Sequence, residues 1–293
     1  MRQINPIIGN FTVSGLIISS LSFIFALFFL YKLVRLDYSA KIAKYTLFLI
    51  LIFPTSFYFG SVYNESTFLL LAVLTFYFAR KKNFALACIT AAILSATRVT
   101  GIFVWFALII EYFNTHKEGI KSFLKPKLLW LAVPPIGLLS YMYYQFRMTG
   151  DAFFFINYQH YVPGRTTDKL VLLYQVFYRY IKMIFTVDPT SSTYFSVILE
   201  FLVGLIILLL LILSIKKIRP SYWIFCAFSY ILPTLTGTLS SIPRYALVLF
   251  PMFIFLASWL DKRHPFVCYI YYAFCIILSL LSIGFFTRGY FIG

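Results

Sequence analysis

Residues 84–113 read FALACITAAILSATRVTGIFVWFALIIEYF, an apolar run with Arg98 at its middle and Val99, Thr100 and Gly101 directly after it. As one helix it would rise about 45 Å, against a hydrocarbon core of about 30 Å. It would also hold a guanidinium at mid-membrane, at about 2.5–3.5 kcal/mol on the insertion scale. Broken at Arg98, the stretch gives two helices, 84–97 and 101–113, of about 21 and 20 Å. A hairpin with Arg98 at its tip avoids both penalties, and the length predicts that hairpin.

The same question arises at 170–187, where Arg179 and Lys182 sit near the centre of an apolar, aromatic segment. That pattern fits an amphipathic helix lying along the membrane interface. Clear apolar runs occupy 11–31, 44–60, 65–79, 128–146, 194–215, 221–238, 244–260 and 266–285. Together these segments predict an all-α, polytopic transmembrane bundle of about 9–10 membrane helices, the short broken hairpin included. No repeat or linker divides the chain, so residues 1–293 read as one domain.

Composition agrees. Hydrophobic residues make up 61% of the chain and charged residues 12%, where a soluble domain carries about 25% charge. Mean hydropathy is +0.88. Soluble enzymes, secreted disulfide scaffolds and disordered proteins are excluded. The 25 Lys and Arg against 9 Asp and Glu are a topology signal, because membrane proteins concentrate cations in cytoplasmic loops; no nucleic acid partner is expected. With the hairpin in place, the basic residues at 32–44, 80–82, 117–127, 216–219 and 262–263 fall on the cytoplasmic side and both termini outside. The polar clusters 63–66, 98–101, 149–151 and 240–245 then open on the extracytoplasmic face. The first apolar run follows a single early cation, Arg2, and lacks a small-residue cleavage site, so it reads as a true span. Cys88, Cys226, Cys268 and Cys275 lie inside apolar runs with no C-x-x-C pair and read as small hydrophobes. His160 has no second ligand at metal spacing, and neither a metal nor a cofactor is expected.

The clusters offer several candidates. Glu65 begins a helix. Either Asn64 caps that helix and the carboxylate suits its dipole, or Glu65 is a hydrogen-bonding or acid–base group facing a polar cavity. Arg98 either satisfies the free carbonyls of the broken helix or binds phosphate through its fork of donors, with Gly101 permitting close backbone approach. Arg244 follows Pro243 in a first helical turn, where a cation opposes the helix dipole. That conflict asks for a compensating anion and favours anion binding over a snorkelling role. Asp151 lies in a loop, 147–169, with Asn157, Gln159, His160 and Tyr161; it reads as a functional residue or as part of a Gly150-Asp151 turn. Glu200, about 9 Å inside its helix, is either functional or hydrogen-bonded to a neighbouring helix. Glu111, near the inner boundary, reads as snorkelling.

Phe53-Pro54-Thr55-Ser56-Phe57-Tyr58-Phe59, Tyr63-Asn64-Glu65-Ser66 and Ser95-Ala96-Thr97-Arg98-Val99-Thr100-Gly101 resemble the PIG-V-type mannosyltransferase family. Leu239-Ser240-Ser241-Ile242-Pro243-Arg244-Tyr245, running into Phe250-Pro251, resembles that family's C-terminal motif. The resemblance covers residues 10–260. It implies a GT-C-type membrane glycosyltransferase, a hexosyltransferase taking its sugar from a polyprenyl or dolichyl phosphate carrier on the extracytoplasmic or lumenal face. The family places a span and an acid-bearing outer loop ahead of the position of residue 11; the ten residues here contain no acid, so the chain reads as lacking that span and catalytic loop.

The expected function is therefore transfer of a sugar, mannose by the resemblance, to a lipid-linked or cell-surface acceptor. Glu65 and Asp151 are the expected catalytic carboxylates. Tyr63, Asn64, Ser66, Arg98, Gly101, Arg244 and Tyr245 are the expected substrate-binding residues. The expected partners are the polyprenyl- or dolichyl-phosphate sugar, a lipid or glycan acceptor, membrane lipids and a partner subunit. The host membrane would be the cell membrane in a prokaryote and the endoplasmic reticulum in a eukaryote. A transporter or lipid flippase, or a non-catalytic subunit of a glycosylation complex, are the alternatives.

Overall fold

A computed structural model describes residues 9–115, 126–161, 164–166 and 170–293. Arg2, Lys117, Lys121 and Lys125 lie outside the described residues, as does part of the 147–169 loop. The described chain is helical, with no strand among the described residues.

Helix α1, Phe11–Val34, starts at Asn10, whose side-chain oxygen accepts from the N–H groups of Thr12 and Val13 at 2.9 and 3.2 Å. Its buried stripe includes Ser14, Gly15, Ser19 and Ala26. Small residues let helices approach closely where apolar burial alone gives no drive toward association. α1 uses the stripe to pack along α3, Glu65–Arg80, with Ser19 donating to the Tyr63 carbonyl at 3.1 Å. Between them α2, Ala40–Leu51, is capped by Ser39. The expected run 44–60 is thus not one helix: it stops ahead of Pro54 and resumes as a 3-10 turn, Ser56–Gly60.

The hairpin forms. α4, Phe84–Thr97, ends at Arg98, whose backbone is extended (φ −160°, ψ 140°). A 3-10 turn, Val99–Ile102, leads into α5, Phe103–Thr115. At the far end the Phe84 and Tyr112 rings lie 5.0 Å apart and Arg80 lies 3.4 Å from Glu111, so the segment leaves at the level where it entered. Gly101 makes the reversal fit: a Cβ there would stand 2.4 Å from the Leu94 carbonyl oxygen.

After a 3-10 turn, Pro126–Ala132, α6, Val133–Thr149, crosses α4 almost backbone to backbone. A Cβ on Gly137 would lie 1.8 Å from the Ala92 carbonyl oxygen, and Ser95 donates to the Pro134 carbonyl at 2.7 Å. α7, Leu173–Thr186, is amphipathic: Val176 and Tyr180 are buried, while Tyr174, Tyr178 and Phe185 are exposed. α8, Ser192–Ser214, and α9, Pro220–Thr234, follow. The run 244–260, expected to be continuous, is two helices, α10, Ile242–Ala246, and α11, Phe250–Leu260. Pro251 explains the break: it has no N–H to donate and is tolerated only in the first helical turn. α12, Pro265–Thr287, closes the helical order.

Among the described residues three stretches, Phe11–Val34, Thr193–Ser214 and Pro265–Thr287, are long and apolar enough to cross a membrane. On α12 only 11% of the most apolar window is buried, with Phe266, Tyr269, Ile277 and Leu280 facing outward. A water-soluble chain does not leave so continuous an apolar face uncovered; this is a membrane protein.

The turns at 35–39, 81–83, 215–219 and 261–264 gather at one end. Asp37 takes Arg80 in a forked pair, with Nη2 at 2.8 Å from Oδ1, and Arg219 Nε at 3.2 Å. Glu111 joins the same network through Arg80, Arg219 at 3.5 Å and the Ser221 hydroxyl at 2.7 Å. Lys41 pairs with Asp261 at 2.8 Å. Glu111 is 2% exposed, so the expected snorkelling is incorrect: its neighbours are cations it can reach without water. Burial raises the Asp37 carboxyl, but the Arg80 and Arg219 guanidiniums outweigh it and hold the group below its usual range.

Candidate anion site

At the opposite end the hairpin tip, the start of α3 and the start of α10 meet. Thr55 fixes the last of these by donating to the Pro243 carbonyl at 2.8 Å. Tyr58 donates to the Ile292 carbonyl at 2.7 Å, which brings the segment after α12 back against the same surface.

Glu65 is fully buried at the centre. Its Oε1 accepts from Arg98 Nη2 at 3.2 Å and lies 3.1 Å from Arg244 Nε, whose N–H is not directed at it. Residues 33 and 179 positions apart thus share one carboxylate oxygen. The cation in the first turn of α10 has its compensating anion within the chain. Rings surround both guanidiniums: Arg98 stands 4.5 Å from the Tyr245 centroid, and Arg244 stands 5.4 Å from Tyr63, 5.6 Å from Tyr58 and 5.9 Å from Phe291. Such packing holds planar cations in place by their faces and leaves their edges for hydrogen bonding. The arginine side chains keep 16% and 15% exposure, so the cluster reaches the surface. Among the described residues, Glu65 Oε2, Arg98 Nη1 and Arg244 Nε have no hydrogen-bond partner, although buried polar atoms are ordinarily paired.

Arg165 is a third cation here. It bonds the Gln159 side chain, and its charge acts on the Tyr245 hydroxyl. Its segment is pinned to the loop after α9 by the Thr166 N–H, which donates to the Thr236 carbonyl at 2.8 Å. Sequence reasoning missed it. It lies in an irregular segment with no periodicity, and only its partner's distance along the chain reveals it.

The remaining candidates take other places. Asn64 does not cap α3; its amide donates to the Thr97 carbonyl at 3.3 Å and ties α3 to the hairpin. Ser66 donates to the Phe59 carbonyl at 2.8 Å and is buried, a packing role. Gly101 admits the Leu94 carbonyl rather than a ligand. Asp151 is not brought to the arginines in any described contact. Its Oδ1 accepts from the Phe153 N–H at 2.8 Å and its Oδ2 from Asn157 at 2.7 Å. Both oxygens serve its own loop, which is the turn reading of Gly150-Asp151. Arg98 makes no described bond to the carbonyls of its broken helix. Arg179 does spend Nη1 on carbonyls, those of Gly164 and Gly237, at 3.1 and 3.2 Å.

Among the described residues no group of His, Cys, Asp or Glu is placed to hold a metal ion. The cluster instead offers three guanidiniums against one carboxylate. With unspent donors in a partly desolvated setting, it can take an oxyanion with two or more oxygens, such as a phosphate group. No protein-family profile, curated protein or solved structure matches the chain.

Proposed function

We propose that the protein is a multi-pass, GT-C-type glycosyltransferase. It transfers a sugar, mannose by the resemblance, from a polyprenyl or dolichyl phosphate to a lipid-linked or cell-surface acceptor on the extracytoplasmic face. The observation that carries this reading is the convergence of Arg98 and Arg244 on Glu65, beside Arg165 and Tyr245.

The chemistry fits the residues. The donor's bond between the anomeric carbon and the phosphate oxygen breaks as the acceptor hydroxyl oxygen attacks the anomeric carbon. Negative charge grows on the departing lipid phosphate, where Arg98 and Arg244 can receive it; preorganised cations there act on the transition state more than on the ground state. A carboxylate must take up or orient the hydroxyl proton, and Glu65 Oε2 is the acceptor without a partner in the cluster. Asp151 has no part in this scheme. Membranes holding the protein, given labelled lipid-linked sugars, should transfer label to an acceptor, and Arg98→Ala should lower turnover about 100- to 1,000-fold. Equal turnover by wild type and Arg98→Ala would remove the proposal. The broken hairpin also suits a transporter; lipid movement in proteoliposomes without bond formation is the outcome that reading requires.

A further inference from the structure

Beside the arginine cluster lies a half-open cavity of about 500 Å³, within the range of about 300–1,000 Å³ typical of ligand sites. Its floor is Glu200, 7% exposed, on α8. The Glu200 carboxylate accepts from the Tyr180 hydroxyl. A carboxylate has about four acceptor positions, so acceptor capacity remains on it. Around it stand the hydroxyls of Thr238, Ser240 and Ser196, and one side is closed by the rings of Tyr290 and Phe291. Arg179 sits in the same wall.

That lining selects its ligand. An anion meets the Glu200 carboxylate and a cation meets Arg179, so the net demand is for a neutral molecule. An apolar molecule would strip water from a carboxylate and several hydroxyls without replacing the lost hydrogen bonds. A polyhydroxylated ring satisfies all of these conditions: its hydroxyls donate to Glu200 and exchange bonds with the serine and threonine side chains, while its C–H face packs on the aromatic rings. We infer that this cavity binds a neutral sugar, with Glu200 as the acceptor for its hydroxyls.

The cavity adjoins the cation cluster. Phe291 lines the one and lies 5.9 Å from the Arg244 guanidinium in the other, and Ser240 lies just ahead of α10, which carries Arg244. A sugar seated on Glu200 therefore lies next to a phosphate held by the arginines. That this sugar belongs to the acceptor rests on the glycosyl-transfer reading; its binding does not.

The test is protection of a thiol at the cavity's rim. Thr193→Cys is introduced into a chain whose four native cysteines are replaced, and the protein is purified in a detergent without a sugar headgroup. Its reaction with a polar maleimide is followed with millimolar methyl hexopyranosides and disaccharides, with inorganic phosphate, or with octanol. At least one sugar should slow labelling several-fold while phosphate and octanol do not. Glu200→Gln should weaken that protection at least fivefold. Tyr290→Ala, whose side chain is outside the hydrogen-bond network, should weaken it too and covers the case in which Glu200→Gln fails to fold. Labelling unaffected by every sugar, protection by octanol or phosphate equal to that by sugar, or protection unchanged in both variants would overturn the inference. Arg98→Ala should keep the protection. A protein that binds sugar this way yet transfers none would lose the transfer reading and keep this one.

Discussion

Glu65 carries two guanidiniums on one oxygen, and that arrangement is stable only while all three charges are present. Glu65→Gln leaves Arg98 and Arg244 facing each other with no anion between them. Removing one member of a buried charged set costs on the order of 3 kcal/mol, so the variant should melt well below wild type in detergent. The double variant Glu65→Gln/Arg98→Gln should lose less than the two single losses combined, because the second change removes a charge that the first had stranded. Additive losses would mean that the pair is not coupled. These residues were unequally legible in the sequence. Arg98 declared itself by breaking an apolar run, and Arg244 by opposing its own helix dipole after Pro243. The anion that Arg244 needs lies 179 positions away, and no local pattern joins them. Asn64 read as a cap because it stands at a helix start, but the Thr97 carbonyl, brought near by the hairpin, competes for its amide.

Among the elements, α4 and α6 meet almost backbone to backbone, and Gly137 is the reason. A methyl group there would lie 1.8 Å from the Ala92 carbonyl oxygen, and backbone cannot yield as a side-chain tip can. Gly137→Ala should cost at least about 1–3 kcal/mol, the usual range for overpacking, and lower the melting temperature accordingly. A neutral result would mean that α6 does not pack here. The far end of the bundle is held by charge rather than by small residues. Asp37 joins the α1–α2 turn to α3 and to the start of α9 through Arg80 and Arg219. Its folded pKa is lowered, so its stabilising contribution is fully present above the unfolded value near about 4. That contribution is lost as pH falls through the lower folded value. Wild type should therefore lose thermal stability as pH drops below about 4, and Asp37→Asn should start lower and show a flatter dependence. Most of these helices could be drawn from apolar run lengths. The breaks at Pro54 and at Pro251 were the harder part, since a proline in a first helical turn and a proline that splits a span look alike until the flanking residues are placed.

At the scale of the whole molecule, two ends with different chemistry define an axis. One end gathers the Asp37–Arg80–Arg219–Glu111 network and the Lys41–Asp261 pair; the other gathers Glu65, Arg98, Arg165 and Arg244. Composition announced a membrane protein, and the lipid-facing rings of α12 carry that statement onto the surface. Which end faces the cytosol follows from cation bias, a property of insertion rather than of packing. The bias is not simply a surplus of arginines at one end, because the candidate site also holds three. What separates the ends is the lysines: on the Asp37 side Lys81, Lys82, Lys216, Lys217 and Lys262 belong to turns and Lys41 to the first turn of α2. The Asp37 end should therefore be cytosolic. Two thiols flanking α3 test this directly in sealed vesicles of known sidedness, again with the native cysteines replaced. Gly60→Cys stands where an added side chain meets nothing within 4 Å, and Lys81→Cys stands exposed past the other end of the same helix. An impermeant maleimide outside right-side-out vesicles should label Gly60→Cys and spare Lys81→Cys, with the pattern exchanged in inverted vesicles. The opposite pattern would turn the arginine cluster toward the cytosol, where a lipid-linked sugar presented on the outer leaflet cannot reach it. Labelling of both from one side would mean that α3 does not cross.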